Sequence, residues 1–344
     1  MGEQGKWHFA PGAAELFPDG DPEQLLAGAE PVKENPVRRV LRSRGFYIKI
    51  DRRPGHGFGR EFAAGCRLAE LGLPVVEHLA RGVLSDGAAA LVTRELPGAV
   101  DARKYFSGGG NRGAAEALAH LVGRMWRAGV FHGDCHLGNF LYAPDGSGPV
   151  LVDVDSVRRR HWFDAFRRGR VLRVVSELRM WFPRPEIEEL LALAGADEPG
   201  KFFTATLRRE AEFLRREWPK RREQILAGYP KFTRNSGGLL LVAGAAADDL
   251  EALPVVTGDA AALEKLLLIH FFLLLAEIPH RGVVAFDRSG GRLFLASGAT
   301  GCPLTDGELE LRLRSCGAAV LPSGVRDGVI EDPAAVQVPP WLWE

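Results

Sequence analysis

The sequence has few cysteines, no long apolar run and no net charge, and each lack excludes a class of protein. Its four cysteines lie far apart without a C-x-x-C pair, which argues against a disulfide scaffold or a zinc ribbon and favours the reducing cytosol. The longest apolar run, residues 266–276, is too short to span a bilayer and predicts a buried helix, with an interfacial helix as the alternative. Basic and acidic residues balance at 44 each, so no nucleic-acid partner is indicated.

Lysine is scarce as well. There are 8 lysines against 36 arginines, which makes each lysine informative. The first seven residues lack an apolar core, and no signal peptide is predicted. Hydrophobic residues make up 46% and charged residues 26% of the 344 residues, as in an ordinary globular protein, and this length predicts about two domains.

The first half of the chain alternates between strand-like and helix-like patterns. Residues 1–30 are rich in glycine, proline, alanine and acidic residues and predict a loose leader. Two β-rich runs, residues 37–41 and 46–50, flank a Ser-Arg-Gly turn and predict a hairpin. Residues 60–71 and 112–129 have apolar side chains at helical spacing before a glycine, which predicts two helices.

The second half predicts a strand pair, then helices, then a mixed region. Residues 140–142 and 150–152 flank a Pro-Asp-Gly-Ser-Gly turn, which predicts paired strands. Residues 162–228 are mostly helical in pattern. The region from 239 onwards mixes strands and helices, with a hairpin predicted over 286–294.

The most informative stretch is the loop His132-Gly133-Asp134-Cys135-His136-Leu137-Gly138-Asn139, followed by an apolar strand that ends at Asp153. Phosphoryl transfer from ATP requires a carboxylate that orients the attacking hydroxyl and accepts its proton, together with oxygen ligands for magnesium. The Asp-x4-Asn spacing allows one loop to direct Asp134 at the acceptor and Asn139 at the metal. Asp153 is then the second metal ligand, whereas the loop histidines and Cys135 are interpreted as structural.

Two upstream residues complete a kinase-like order. Lys49 ends a β-rich run, from which it can reach the α- and β-phosphates of ATP, and Glu61 on the following helix can hold it by an ion pair. Each residue alone also has an ordinary interpretation, Lys49 as a surface lysine and Glu61 as a solvated helix residue. The order Lys, Glu, Asp-x4-Asn, Asp favours the catalytic interpretation.

These motifs resemble those of known small-molecule kinases. His-Gly-Asp-x-His-x-x-Asn is similar to the catalytic loop of aminoglycoside phosphotransferases. Residues 32–40, Phe46-Tyr47-Ile48-Lys49, and Arg60-Glu61-Phe62 with the stretch to Pro74 resemble the lipopolysaccharide kinase family, the Kdo and core-heptose kinases of Gram-negative bacteria. The segment from Arg173 to Met180 is also similar to that family.

The resemblance implies an α+β, bilobal protein-kinase-like fold that uses ATP and Mg²⁺. It assigns residues 31–96 to a small β-rich N-lobe and residues 97–236 to a mainly helical C-lobe, and leaves residues 237–344 as an additional α/β region of unknown role. A G-x-G-x-x-G loop is absent from residues 31–40, unlike in protein kinases. Glu95 lies in the predicted hinge that meets adenine and is the third candidate for cofactor binding, beside Lys49 and Glu61.

An arginine-rich segment follows the predicted metal-binding strand. Residues 156–184 contain nine arginines and two acidic residues. One interpretation is a solvated helix face in an arginine-rich protein. The other is a site for an anionic acceptor, with Arg158, Arg159 and Arg160 as candidates, or a contact with acidic lipid headgroups.

The sequence motifs therefore predict an ATP- and Mg²⁺-dependent kinase, and the resemblance to kinases of the lipopolysaccharide core implies that its acceptor is a sugar hydroxyl, of Kdo or heptose. The expected partner is a sugar or glycolipid. The expected location is the cytoplasm, with peripheral contact at the inner membrane as an extension of the lipid interpretation. Two alternatives remain open: an aminoglycoside- or choline-type small-molecule kinase, and a non-catalytic pseudokinase that binds nucleotide.

Overall fold

The chain folds into two compact units in the computed structural model. Unit 1 comprises Met1–Glu177 and Leu190–Ala196, and unit 2 comprises Leu178–Glu189 and Asp197–Glu344. The structure describes residues 7–53, 55, 57–159, 165–236, 239–243, 250–276, 278–300, 303–327 and 329–343.

An antiparallel six-stranded sheet dominates the first part of unit 1. Its strands are β1 (His8–Phe9), β2 (Glu30–Glu34), β3 (Arg38–Ser43), β4 (Phe46–Asp51), β5 (His78–Val83) and β6 (Ala89–Arg94). They are arranged in the order β1-β5-β6-β4-β3-β2. Arg44 and Gly45, both with positive φ, form the predicted turn between β3 and β4, a conformation that suits the twist of a hairpin.

The predicted leader packs against this sheet. Strand β1 pairs with β5, and Ala13, Phe17 and Leu25 are buried in one hydrophobic cluster with Ile48 and Ile50 of β4. Because side chains alternate along a strand, these two isoleucines need a cover on the face opposite Lys49. The N-terminal segment provides that cover through short 3₁₀ turns, which its prolines and glycines permit.

Helix α1 (Gly59–Glu70) packs closely on β5. A Cβ atom at Gly65 would lie 2.1 Å from the Nδ1 atom of His78, so only glycine permits this approach. The remaining helices of unit 1 are α2 (Ala102–Ser107), α3 (Arg112–Arg127) and α4 (Ala165–Ser176), and its short strands are β7 (Val100–Asp101), β8 (Val130–His132), β9 (Phe140–Tyr142), β10 (Val150–Leu151) and β11 (Val157–Arg159).

Caps in the sequence define the main helix of unit 1. The Asn111 side chain accepts a hydrogen bond from the backbone N–H of Ala114 at the start of α3, and Gly129 follows its end with a φ of 69°. Strands β9 and β10 pair as predicted. Strands β8 and β11 also pair, which the sequence patterns did not predict, and they flank the segment that contains the loop of residues 132–139.

Unit 2 has its own sheet and core. The residues of helix α5 (Arg184–Leu193) up to Glu189 are assigned to unit 2 and its last four residues to unit 1. The other helices are α6 (Pro199–Leu226), α7 (Ala260–Leu275) and α8 (Asp306–Ser315), and the strands are β12 (Thr233–Ser236), β13 (Leu239–Val242), β14 (Val255–Thr257), β15 (His280–Asp287), β16 (Arg292–Thr300), β17 (Ala319–Val320), β18 (Val325–Arg326), β19 (Val329–Ile330) and β20 (Val336–Gln337).

The long apolar stretch of the sequence is a buried helix in this core. Helix α7 begins at the cap Asp259, whose carboxylate accepts hydrogen bonds from two backbone N–H groups, and its apolar residues pack with Trp218 and Phe286. None of the helices in the part of the chain that the structure describes is long and apolar enough to cross a membrane. The predicted α+β fold class, with a β-rich region followed by helices, is confirmed.

Candidate functional site

A lysine held between two carboxylates is the centre of the candidate site. The Nζ atom of Lys49 lies 2.5 Å from Oε1 of Glu61 and 3.1 Å from Oδ1 of Asp153. The Glu61 side chain is buried, whereas the Asp153 side chain is 58% exposed. The structure thus brings together three residues that are up to 104 positions apart in the sequence.

Each of the three is positioned by a different element. Lys49 points away from the isoleucine face of β4 towards α1, on which Glu61 occupies the first turn. Asp153 follows β10 and has a left-handed backbone with φ 53° and ψ 51°. Such a conformation costs a non-glycine residue on the order of 1 kcal/mol and is typical of functional sites. The backbone bond from the Val152 N–H to the Asn139 carbonyl, 3.0 Å long, holds this turn beside the Asp-x4-Asn loop.

The Asp-x4-Asn loop is held by bonds among its own residues. The Asn139 amide donates through Nδ2 to the Asp134 carbonyl at 2.7 Å, and the Gly138 N–H donates to Nδ1 of His136 at 3.0 Å. The backbone N–H of Asp134 lies 3.2 Å from both His132 Nδ1 and the Ser156 hydroxyl oxygen. The loop backbone is fixed in this way, while the Asp134 carboxylate stays 74% exposed to an approaching substrate.

Glu177 is a supporting residue that the sequence motifs do not reveal. Its buried carboxylate accepts a hydrogen bond from the Leu137 N–H at 3.2 Å, and Arg103 and Arg173 lie within 4.0 Å of it. A glutamate at the end of an arginine-rich helical stretch looks like any solvated residue, because no local pattern reports that it faces the loop. Ser156, whose hydroxyl lies 3.2 Å from the Asp134 N–H, is missed as well, because no sequence motif includes it.

The charges of the cluster shift its pKa values. Burial lowers the pKa of Lys49, but the carboxylates of Glu61 and Asp153 outweigh it and raise that pKa above its usual value. Burial raises the pKa of Glu61 despite Lys49. Burial also favours a higher pKa for Asp153, yet Lys49 outweighs this and lowers it. Lys49 is therefore a cation with one buried and one exposed partner.

Asn139 and Asp153 have the chemistry of a magnesium site. Because Asn139 donates through Nδ2, its Oδ1 atom remains as an acceptor, and Lys49 contacts only one oxygen of Asp153. Hard cations such as Mg²⁺ are commonly held by one or two such protein oxygens together with phosphates and water. The described residues contain no group of three or more His, Cys, Asp or Glu side chains that could hold a metal ion. Asn139 and Asp153 can supply the one or two protein oxygens that Mg²⁺ usually takes, with phosphates and water as its other ligands.

The other predicted site residues contact groups outside the lysine cluster. Glu95 donates its backbone N–H to the Gly45 carbonyl, and its carboxylate lies 3.8 Å from Arg42, so neither of these groups meets the cluster. Arg158 donates to the backbone carbonyls of Asp155 and Val157. Arg160 falls outside the described residues, as does the side chain of Arg159.

Two further predictions concern Cys135 as a packed side chain and residues 156–184 as a solvated face, and the structure supports only the first. Cys135 is buried, which raises the pKa of its thiol, and it packs near Val171 as a small side chain. The arginine-rich segment is not one solvated face, because Arg179 is buried and pairs with Glu210 at 2.6 Å within unit 2.

Solved structures offer remote similarities. A crystal structure of WbdD is 16% identical, covers 51% of this chain and 50% of that chain, and has a TM-score of 0.37. An aminoglycoside-3'-phosphotransferase of type VIII is 19% identical, covers 56% of this chain and 96% of that chain, and has a TM-score of 0.37.

Sequence comparison is more informative. The lipopolysaccharide core heptose(I) kinase WaaP of Pseudomonas aeruginosa is 32% identical over an alignment of 149 residues, and the match covers 34% of this chain. The chain spans about half the length, 54%, of this relative. Residues 47–188 match the lipopolysaccharide kinase (Kdo/WaaP) family, and they contain every member of the cluster and loop described above. The resemblance to the lipopolysaccharide kinase family that the motifs indicated is thereby confirmed for residues 47–188.

Proposed function

We propose that this protein is a kinase that transfers a phosphoryl group from Mg-ATP to a sugar hydroxyl of lipopolysaccharide core, either Kdo or heptose. The observation that carries the proposal is Lys49 between Glu61 and Asp153, next to the loop of Asp134 and Asn139. The match of residues 47–188 to lipopolysaccharide kinases and the heptose kinase relative support the substrate class.

Each residue then has a stated task. Asp134, the most exposed carboxylate of the group, orients the acceptor hydroxyl and accepts its proton. Asn139 and Asp153 hold Mg²⁺, which when bound neutralises charge on the phosphates. Lys49 supplies a fixed positive charge for the phosphates, and Glu61 keeps it in place. Glu95 contributes to the adenine site through its backbone carbonyl, since its N–H and carboxylate have partners in the sheet.

A transfer assay tests the proposal. The full chain is incubated with radiolabelled ATP, Mg²⁺ and de-acylated lipopolysaccharide, with an aminoglycoside and choline as competing acceptors. Asp134→Asn should keep Mg-ATP binding but lower kcat about 10²-fold or more, as expected for a lost general base. Asp145→Asn is the matched control, because Asp145 lies in the exposed turn between β9 and β10.

Three results would contradict the proposal. Near-normal turnover by Asp134→Asn would remove its catalytic assignment. Transfer to an aminoglycoside or to choline, and none to the core sugars, would identify a different substrate class. Binding of Mg-ATP without transfer to any acceptor would identify a pseudokinase.

A further inference from the structure

A cavity lined by four arginines lies beside the lysine cluster. It has a volume of about 550 Å³ and is enclosed by the end of β4, the segment before α1, and the turn after Asp153. Glu61 and Asp155 also line it, whereas Lys49 and Asp153 do not. The cavity therefore borders the candidate phosphate and metal site without coinciding with it. Its arginines are Arg38, Arg53, Arg60 and Arg158.

A buried carboxylate orients two of these arginines. Asp51 accepts from Nε of Arg38 at 3.0 Å, and from Nε and a terminal nitrogen of Arg53 at 3.0 Å and 2.5 Å. These hydrogen bonds, chiefly those of Arg53, hold the pKa of Asp51 well below its usual value, although burial opposes them. Each guanidinium has five N–H donors, so Asp51 engages only part of each fork. The pair is thus positioned in advance at the wall of the cavity.

The other two arginines, Arg60 and Arg158, form no ion pair with the three carboxylates that line the cavity, Asp51, Glu61 and Asp155, and the lining keeps an excess of one positive charge. Arg60 forms no ion pair with a residue that the structure describes. Arg158 donates to backbone carbonyls rather than to a carboxylate. Glu61, the acidic residue next to Arg60, is already paired with Lys49. The planar forks of arginine match phosphate and carboxylate oxygens in a bidentate manner, so an anion in the cavity would balance this charge.

We infer that this cavity binds a phosphate or carboxylate carried by the acceptor, next to the hydroxyl that is phosphorylated. The inference rests on the proposed function, because it is the transfer site that gives the cavity an acceptor. It narrows the substrate class to acceptors that are already anionic. Arg38, Arg53, Arg60 and Arg158 then act in acceptor binding, and Asp51 is a positioning residue for two of them.

Inorganic phosphate is the probe for the first experiment. Thermal unfolding of the full chain is followed as phosphate replaces chloride at constant ionic strength, because a ligand that binds the folded state raises Tm by mass action. Arg60→Gln should weaken the apparent phosphate affinity about tenfold or more, the usual loss for one charge-assisted contact. Arg53→Lys keeps a cation beside Asp51 but removes the planar guanidinium, and it should also weaken the apparent phosphate affinity. Arg44→Gln, in the exposed turn between β3 and β4, should leave the affinity unchanged.

A second arm identifies the source of the anion. Phosphate stabilisation that persists in saturating Mg-ATP supports the acceptor assignment, and loss of that stabilisation assigns the cavity to the nucleotide and overturns it. In the transfer assay, Arg60→Gln should raise the KM for de-acylated lipopolysaccharide about tenfold while the KM for ATP stays unchanged. Equal phosphate responses in all four proteins would overturn the inference. Arginine-dependent phosphate binding without any phosphotransfer would instead overturn the proposed function and leave the anion site in place.

Discussion

Lys49 has two carboxylate partners, and they differ in how firmly they are held. Glu61 is buried in α1, so its contact with Lys49 is shielded from water, whereas Asp153 is largely exposed. Interactions between partly buried charges are stronger than those between exposed ones, because water and salt screen the latter. We therefore regard Glu61 as the permanent partner of Lys49. Asp153 is the exchangeable partner, which under the proposed function turns towards the bound Mg²⁺.

The first prediction concerns this division of roles. Glu61→Gln keeps the shape of the side chain but removes its charge, so the pKa of Lys49 should fall and its position should be less well fixed. The pH dependence of Lys49 labelling by an amine-reactive reagent, followed by mass spectrometry, should shift to lower pH. In the transfer assay, kcat/KM for ATP should fall roughly tenfold or more.

Glu70→Gln, at the exposed end of the same helix, is the matched control and should change neither measurement. If the labelling profile is the same in Glu61→Gln and in the unmodified protein, Asp153 and not Glu61 raises the pKa of Lys49. A purely structural role for Glu61 would lower stability without moving that profile.

At the scale of elements, the loop that holds Asp134 depends on a helix beyond it in the chain. The Leu137 N–H has Glu177 as its acceptor, and this carboxylate in turn lies between two arginines. A buried N–H without an acceptor costs about 1–3 kcal/mol. The position of this loop is therefore tied to the residue that directly follows α4.

The second prediction follows from this contact. Glu177→Ala should lower the free energy of unfolding by about 2 kcal/mol, because it leaves the Leu137 N–H without its acceptor and two arginines without their carboxylate. It should also lower kcat, while Mg-ATP affinity changes little because the Lys49 cluster is untouched. Denaturant titration and the transfer assay measure the two effects.

Glu116→Ala removes an exposed carboxylate that pairs with Arg112 one helical turn away, and should cost less than about 1 kcal/mol. Equal stability losses in the two variants would show that the loop does not depend on Glu177. An equal loss of Mg-ATP affinity and of kcat in Glu177→Ala would mean that the whole site, and not only the loop, had moved.

The elements were more predictable from the sequence than the contacts between them. The β3–β4 hairpin, α1, α3 and the strand pair β9–β10 follow from local periodicity and turn residues, and the structure contains each of them. Lys49, Glu61 and Asp153 could be expected to meet because a motif orders them. The cover of the sheet by residues 7–29 could not, because its few apolar side chains are spread among glycines and prolines and give no periodic signal.

The long-range partners of single charged residues could not be predicted from the sequence either. Asp51 and Glu177 are buried acceptors, yet each has a sequence context that a solvated carboxylate would also have. Burial of this kind depends on which elements pack together, and local propensity does not report it. The arginines of the cavity come from three separate parts of unit 1, so only the folded chain brings them together.

At the scale of the whole molecule, unit 2 contains a pair of buried histidines in contact with each other, and neither is part of the candidate site in unit 1. His270 of α7 and His280 of β15 lie 2.8 Å apart, from Nδ1 to Nε2, and His280 donates from its Nδ1 to the Ile278 carbonyl. Burial lowers the pKa of both residues, well below the usual value for His270 and to about 4 for His280. Because both pKa values lie below 7, both rings are neutral near pH 7.

The last prediction is that mild acid weakens unit 2. In the unfolded chain each histidine takes up a proton below about pH 6.5, whereas the folded state resists protonation of His280 until about pH 4. The unfolded state binds more protons in this window, so stability is complete above pH 6.5 and falls as the pH drops towards 4, by roughly 3 kcal/mol for His280 alone. Denaturant titrations at several pH values measure this slope. The double variant His270→Leu with His280→Asn should reduce the slope even if its stability at pH 7 is lower, although His78, whose pKa burial also lowers to about 4, keeps its contribution. His120→Gln, exposed on α3, should leave the slope unchanged. A double variant that loses as much stability as the unmodified protein between pH 7 and 4 would place the acid-sensitive groups elsewhere.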